Sequence, residues 1–111
     1  MPDNDQSEVR KTFAQAVNMS AAELETWLKA AHSKGVGFHR DGAKESVGHA
    51  SGRRIVAIKR KRAADLTAAD YRHMNKVIGY VHRHLAQRPK GDVSETRWRR
   101  SLMNWGHDPL K

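Results

Sequence analysis

The chain has 111 residues, of which 38% are hydrophobic and 30% charged, and this balance predicts one small globular domain. It contains no cysteine, which excludes disulfides, cysteine-ligated zinc sites and cysteine nucleophiles. No apolar run approaches the roughly 20 residues of a membrane span. No apolar signal segment follows the N-terminus either, so we expect an intracellular protein of the cytoplasm, nucleoid or nucleus, without a membrane partner.

The positive charge is concentrated in the second half of the chain. The net charge is +9 and the pI is about 10.4. Residues 1–45 contain six Lys or Arg and seven Asp or Glu, whereas residues 46–111 contain fifteen and five. This excess extends over whole predicted helices and is larger than solubility requires, so it indicates an anionic partner.

The first predicted helix runs from Glu8 to about Asn18, with Ser7 as its N-cap. Apolar residues recur along it at helical spacing, namely Val9, Phe13, Ala16 and Val17. We assign residues 1–18 to an N-terminal extension and residues 19–111 to a single helical domain. Whether the extension docks on the domain or trails from it stays open at this point.

The second predicted helix begins at a capping box formed by Ser20 and Glu23 and runs to about Ser33. Its apolar face consists of Leu24, Trp27, Leu28 and Ala31. Gly35 is expected to end the helix in the left-handed conformation that glycine accepts.

Residues 35–45 contain three glycines and mixed charges without periodicity, which predicts a loop. Phe38 is expected to pin this loop to the core. The glycines do not have the spacing of a phosphate-binding P-loop, so a nucleotide site of that kind is not expected.

The third predicted helix begins after Ser46 as its N-cap and runs to about Ala63. One face carries Ser51, Ile55, Ile58 and Arg62, and the other carries Arg53, Arg54, Arg60 and Lys61 around Ala57. Gly48 and Gly52 weaken a helix by about 1 kcal/mol each. Their use is therefore expected to be the close approach of a neighbouring helix or a ligand.

The fourth predicted helix follows a turn at residues 64–66 and a second capping box formed by Thr67 and Asp70. It runs from Ala68 to about Gln87. The predicted buried face consists of Tyr71, Met74, Ile78, Val81 and Leu85. The opposite face consists of Arg72, Lys76, Tyr80 and Arg83, with His73 and His84 beside it.

The last predicted helix starts with Ser94 and runs from about Glu95 to Asn104, and Gly106 stops it. Trp98, Leu102 and Trp105 share its apolar face, and the residues expected to face away are Arg97, Arg100 and Asn104. No stretch alternates at a period of two. We therefore predict an all-α bundle of four to five helices around one core.

Two consecutive basic helices joined by a short turn indicate a nucleic-acid-binding surface that resembles a helix-turn-helix pair. The basic face lacks Asn or Gln for reading adenine, so we expect mainly phosphate contacts to duplex DNA rather than RNA, in an accessory or architectural role. Arg53 and Arg54 are the best candidates for bidentate contacts. The complete set of predicted binding residues is Arg53, Arg54, Arg60, Lys61, Lys76, Tyr80 and Arg83.

Two alternatives stay open. The basic face could instead engage an acidic protein partner. A less favoured reading is an enzyme acting on a phosphorylated substrate around His49 and Arg53, which requires them to converge with Glu45 or His107. We expect no cofactor and no metal, because His82 and His84 lie about 200° apart on a helix and cannot share one ion.

Four segments resemble domain-of-unknown-function family 3140, a family of short microbial proteins: SGRRIV (51–56), ADLT (64–67), VIGYVHRHLAQRP (77–89) and SLMNWGHDPLK (101–111). The resemblance covers about Met19 to Lys111. It implies a small protein without an assigned activity, in a family where some members are labelled DNA-binding and no catalytic residue is defined. The chain is more basic than the family pattern at three positions, Ala57, Lys59 and Arg100.

Overall fold

A computed structural model describes residues 2–36, 39 and 41–111, with only the backbone for residues 2–5. Across these ranges the chain forms a 3₁₀ turn at Ala63–Asp65 and the helices α1 (Pro2–Ala16), α2 (Ala21–Leu28), α3 (Ala31–Lys34), α4 (Val47–Lys59), α5 (Ala68–Leu85) and α6 (Arg97–Asn104). No strand occurs in them, so the predicted all-α class is confirmed. None of these helices combines the length and apolar character needed to cross a membrane. Phe38 lies outside the described residues.

Side-chain caps set the start of three helices where the sequence predicts them. At α2 the Ser20 hydroxyl accepts from the Glu23 amide (3.1 Å), and the Glu23 carboxylate accepts from the Ser20 amide (2.8 Å). Thr67 and Asp70 form the same reciprocal pair before α5, at 3.1 and 3.0 Å. The Ser46 hydroxyl accepts from the His49 amide at 3.0 Å and starts α4. Each cap pairs an amide that the helix itself leaves without a partner.

The predicted second helix is divided in two. It stops at Leu28, and Ala30 adopts an extended conformation with ψ of 147° before α3 begins. Gly35 follows α3 with φ of −88°, so the predicted left-handed end at this glycine is wrong.

Two further boundaries differ from the prediction. Helix α4 ends at Lys59 rather than Ala63, which leaves Arg62 exposed and paired with Asp65 instead of sharing the buried face. The cap of α6 is Thr96, whose hydroxyl accepts from the Arg99 amide at 3.1 Å, whereas the Ser94 amide donates to Asp92.

The end of α6 ties the C-terminal segment to the N-terminal one. The His107 amide donates to the Leu102 carbonyl (3.0 Å) and the Gly106 amide to the Met103 carbonyl (2.9 Å), which is a Schellman motif. Gly106 has φ of 83°, and the Gly106 carbonyl accepts from the Met19 amide at 3.1 Å. A Cβ on this glycine would lie 2.7 Å from Val17, so both its conformation and its contact require glycine.

The core lies between two pairs of packed helices and a further helix, α6, that contacts both pairs. Helix α1 packs on α5, α2 packs on α4, and α6 contacts α2, α3, α4 and α5. The N-terminal helix is docked on the rest of the fold, because Phe13, Ala16 and Val17 are buried and the Arg10 guanidinium donates to the Tyr71 hydroxyl at 2.8 Å.

Asn104 is buried, so the prediction that it faces away from the core is wrong. Only 1% of it is exposed. Its side-chain oxygen accepts from Trp27 Nε1 (2.8 Å) and from the Ser33 hydroxyl, and its nitrogen donates to the Ser33 carbonyl (3.1 Å). Helix α6 is covered on more than one side, so Asn104 is buried although it lies opposite the apolar stripe. Its hydrogen bonds connect α6 to α2 and α3.

Candidate nucleic-acid interface

The seven predicted binding residues fall into two groups. Four lie on α4 or directly after it, and they are exposed: Arg53, Arg54, Arg60 and Lys61. The other three lie on α5 and line one cavity together: Lys76, Tyr80 and Arg83. The electrostatic surroundings of the two groups differ, because the first group contacts carboxylates.

Glu45 binds both Arg53 and His49. Arg53 donates from Nε and Nη2 to the two carboxylate oxygens of Glu45 at 2.8 and 2.6 Å. Nδ1 of His49 also contacts Glu45, and its Nε2 lies 2.7 Å from the Leu28 carbonyl. The Arg53 hydrogen bonds, and after them the His49 contact, lower the pKa of Glu45 to about 2 despite opposing burial. Arg53 must therefore exchange a carboxylate before it can bind a phosphate.

The residues required by the enzyme alternative converge through Glu45 and not through His107. Glu45, His49 and Arg53 meet, as that alternative requires. His107 lies elsewhere, where its Nδ1 donates to the Ala16 carbonyl at 2.7 Å. Both ring nitrogens of His49 face protein oxygens, so this histidine links the residue before α4 to the end of α2.

Asp70 pairs with two basic side chains near the turn between α4 and α5. Lys61 Nζ lies 2.6 Å and Arg54 Nη2 3.6 Å from its carboxylate oxygens. The Lys61 hydrogen bond, followed by that of the Thr67 amide, lowers the pKa of this buried carboxyl to about 2. On the opposite edge of α4, Arg60 pairs with Glu25 at 2.9 Å.

The α5 group has a different environment. Lys76, Tyr80 and Arg83 line a cavity of about 270 Å³ together with α4 and α6, and its remaining lining residues are Val47, Gly48, Ser101, Asn104 and Trp105. No acidic residue lines this cavity. Neither Lys76 nor Arg83 forms an ion pair with any residue that the structure describes.

A second cavity of about 370 Å³ continues the first across the start of α4. The two share Val47 and Lys76, and Arg54 and His73 also line the second one. Glu45 also lines it, but its carboxylate is already bound by Arg53 and contacts His49. We call the two cavities together the basic groove; its charged rim consists of Arg54, Lys76 and Arg83.

Tyr80 does not have the exposed position that the sequence predicts. Its ring is stacked between Trp105, with centroids 4.2 Å apart, and His84, at 5.0 Å. Burial raises the pKa of its hydroxyl, which lies beside Ser101. Because both faces of the ring are covered, Tyr80 can offer only its edge to the groove and cannot stack on a base.

Tyr80 is the centre of an aromatic column that the sequence interpretation missed. The column consists, in spatial order, of His73, Trp105, Tyr80, His84 and Trp98, with interplanar angles between 12° and 16°. The Arg88 guanidinium lies 5.5 Å from the centre of the Trp98 ring at its end. A signal was present in the sequence, since rings recur seven residues apart along α5 and along α6 with the residue that follows it.

Among the described residues, no group of three or more His, Asp or Glu side chains could hold a metal ion.

Six helices and a groove rimmed by Arg and Lys define a small all-α protein with a basic cleft beside the start of one helix. The chain belongs to the family described as Protein of unknown function (DUF3140), whose family model matches residues 12–103. The match extends from within α1 into α6 and includes all residues that line the groove except Asn104 and Trp105. No curated protein and no solved structure matches the chain.

Proposed function

We propose that the chain binds nucleic acid, with duplex DNA preferred over RNA, through phosphate contacts at the basic groove, in an accessory or architectural role. One observation carries this proposal: Lys76 and Arg83 line a cavity without acids and form no ion pair with the described residues. Unpaired cations can attract phosphates without first losing a carboxylate partner.

The geometry favours phosphate contacts over base reading. Lys76 and Arg83 are seven residues apart on α5, which places them about 10 Å apart along the helix at 1.5 Å per residue. Their backbones are therefore well separated, but both long side chains line the same cavity and present two positive charges to phosphate oxygens there. The start of α4 points its positive dipole end toward the same groove. Tyr80, the aromatic residue proposed to contact a base or sugar, is covered on both faces.

The predicted binding residues can be ranked by whether they line the groove and whether a carboxylate already binds them. Lys76, Arg83 and Arg54 come first, because they line the groove. Arg53, Arg60 and Lys61 come second, since each is held by a carboxylate at 2.9 Å or less. The helix-turn-helix resemblance stays a prediction.

The test is a titration of labelled duplex DNA at about 50 and 200 mM salt. If roughly four to eight phosphates are contacted, affinity should fall by about two to four orders of magnitude over this range. The double variant Lys76→Glu/Arg83→Glu should bind at least about tenfold more weakly, and its salt dependence should correspond to about two fewer phosphates.

The matched control is Lys11→Glu/Arg97→Glu, which changes the net charge equally at two exposed residues outside the groove. It should retain most of the affinity. Absence of saturable binding by the unmodified chain at low salt would refute the proposal. Equal losses in the two double variants would show that net charge, and not the groove, causes binding.

A further inference from the structure

The cavity at the start of α4 contains more hydrogen-bond donors than a merely attractive basic surface needs. Lys76 and Arg83 supply charged N–H groups from α5, and Ser101 on α6 adds a hydroxyl that is also hydrogen-bonded to Tyr80. The backbone amides of Val47 and Gly48 are the first two of α4, so the helix provides them with no carbonyl partner. The third amide, that of His49, is already capped by Ser46.

The indole of Trp105 is a second and independent indication of a ligand. Trp105 is only 5% exposed and lines this cavity. The other two tryptophans use their N–H groups, Trp27 toward Asn104 and Trp98 toward the His84 carbonyl at 2.6 Å. Nε1 of Trp105 donates to no acceptor within the described part of the chain, and it is not among the buried side-chain atoms that lack a partner there, so this N–H is open to the cavity that Trp105 lines.

Gly48 keeps this indole edge open. A Cβ at position 48 would lie 3.0 Å from Trp105 Nε1. Without it, the N–H of the indole and the first amides of α4 border the same small space. The donors therefore come from three elements, α4, α5 and α6, and no carboxylate lines the cavity.

We propose that this cavity is a binding pocket for a single phosphate monoester. A monoester has three terminal oxygens and carries close to two negative charges at neutral pH, which suits two cations and several converging N–H donors. The volume of about 270 Å³ is below the roughly 300–1,000 Å³ of sites that enclose a whole small molecule, so the pocket takes the phosphate group and leaves the rest outside. The inference rests on the proposed function in that both use Lys76 and Arg83.

The monoester could be a free phosphorylated metabolite or the phosphorylated end of a nucleic acid. The probes are therefore inorganic phosphate, a nucleoside 5′-monophosphate, and one duplex DNA oligonucleotide prepared with 5′-phosphate and with 5′-hydroxyl ends. We expect inorganic phosphate and the mononucleotide to bind, and the 5′-phosphate to strengthen oligonucleotide binding at least fivefold over the 5′-hydroxyl.

The readout is the indole N–H signal of each tryptophan in the ¹H–¹⁵N NMR spectrum of the full chain. Phosphate should shift the Trp105 signal, and the signals of Trp27 and Trp98 serve as internal controls because these groups are already bonded. Trp105→Phe assigns the signal and removes the donor while keeping a stacked ring. It should abolish the preference for the 5′-phosphate over the 5′-hydroxyl.

Ser101→Ala and Gly48→Ala provide the same test without removing a ring of the aromatic column, and each should reduce the preference at least twofold. Equal affinity for the two oligonucleotides, together with no shift on adding phosphate or mononucleotide, would overturn the pocket and leave the proposed function intact. Binding of phosphate without binding of either oligonucleotide would support the pocket and refute the proposed function.

Discussion

Gly52 determines how closely α4 and α6 approach each other. A Cβ at this position would lie 2.5 Å from the Asn104 carbonyl oxygen and 2.7 Å from a methyl group of Leu28. The residue faces backbone, which cannot move aside as a flexible side chain can. The expectation that Gly48 and Gly52 permit close approach is confirmed, and the approaching element is α6 with the end of α2.

We predict that Gly52→Ala destabilises the protein although alanine favours helices. The gain in helix propensity is about 1 kcal/mol, whereas overpacking typically costs about 1–3 kcal/mol and here meets backbone. The control is Gly79→Ala on α5, where the nearest atom is the mobile Arg83 guanidinium at 3.1 Å. In urea denaturation, Gly52→Ala should lower the free energy of unfolding and Gly79→Ala should raise it or leave it unchanged. A Gly52→Ala variant as stable as the control would contradict this packing.

At the scale of elements, the aromatic column joins α5 to α6. It contains two histidines, and burial lowers the pKa of each; at His73 the positive charges of Arg54 and Lys76 act in the same direction. Nε2 of His84 is buried without a partner among the described residues. The column therefore favours neutral imidazole rings.

This predicts a specific pH dependence of stability. Because the folded pKa values lie below the ordinary value of 6.5, the unfolded chain binds more protons in this range. The stabilisation should be complete above about pH 6.5 and should decline as the pH falls through the folded values. Glu45 and Asp70, with folded pKa values of about 2, contribute little to the change above pH 5, because their unfolded carboxyls, with ordinary values of 4.5 and 3.8, bind protons mainly below that pH.

The measurement is urea unfolding at pH 8 and pH 5. The midpoint should be lower at pH 5, and His84→Phe, which keeps the ring and removes the titrating nitrogen, should reduce the difference. His82→Phe alters an exposed histidine of α5, two residues before His84 and outside the column, and is the control. If both variants change with pH as the unmodified chain does, His84 is not responsible for the effect.

At the scale of the whole molecule, α1 completes the core instead of lying outside it. Phe13 and Val17 are 5% and 1% exposed, and the helix covers α5. Burial of side chains of this size contributes about 1.5–3 kcal/mol each. The segment assigned from sequence to an extension is thus part of the packing of the domain.

We predict that deleting residues 1–18 removes cooperative folding. The loss of three buried side chains amounts to several kcal/mol, comparable with the total stability of about 5–15 kcal/mol for a small domain. Thermal unfolding followed by circular dichroism tests this. Deleting residues 1–6 leaves all described buried residues in place and should retain the transition. A cooperative transition at the unmodified temperature after the longer deletion would show that α1 is dispensable.

The sequence by itself determined the features that depend on neighbours within about four residues. The capping boxes at Ser20 and Thr67, the cap at Ser46, and the apolar stripe of α5 are local hydrogen bonds and local periodicity. These suffice for the all-α class and for most helix starts. The location of the positive charge is also a property of the sequence alone.

Only the tertiary structure decided which charges and polar groups are paired or buried and which can bind a partner. Arg60 meets Glu25 from 35 residues away, Asn104 meets Ser33 from 71, and Tyr80 is covered by Trp105. Helical periodicity states which face of a helix is apolar, but it does not state how many neighbours cover the helix or which distant residue lies opposite. Since α6 is covered on several sides, Asn104 on its polar face became part of the core, whereas Arg54, Lys76 and Arg83 line the basic groove.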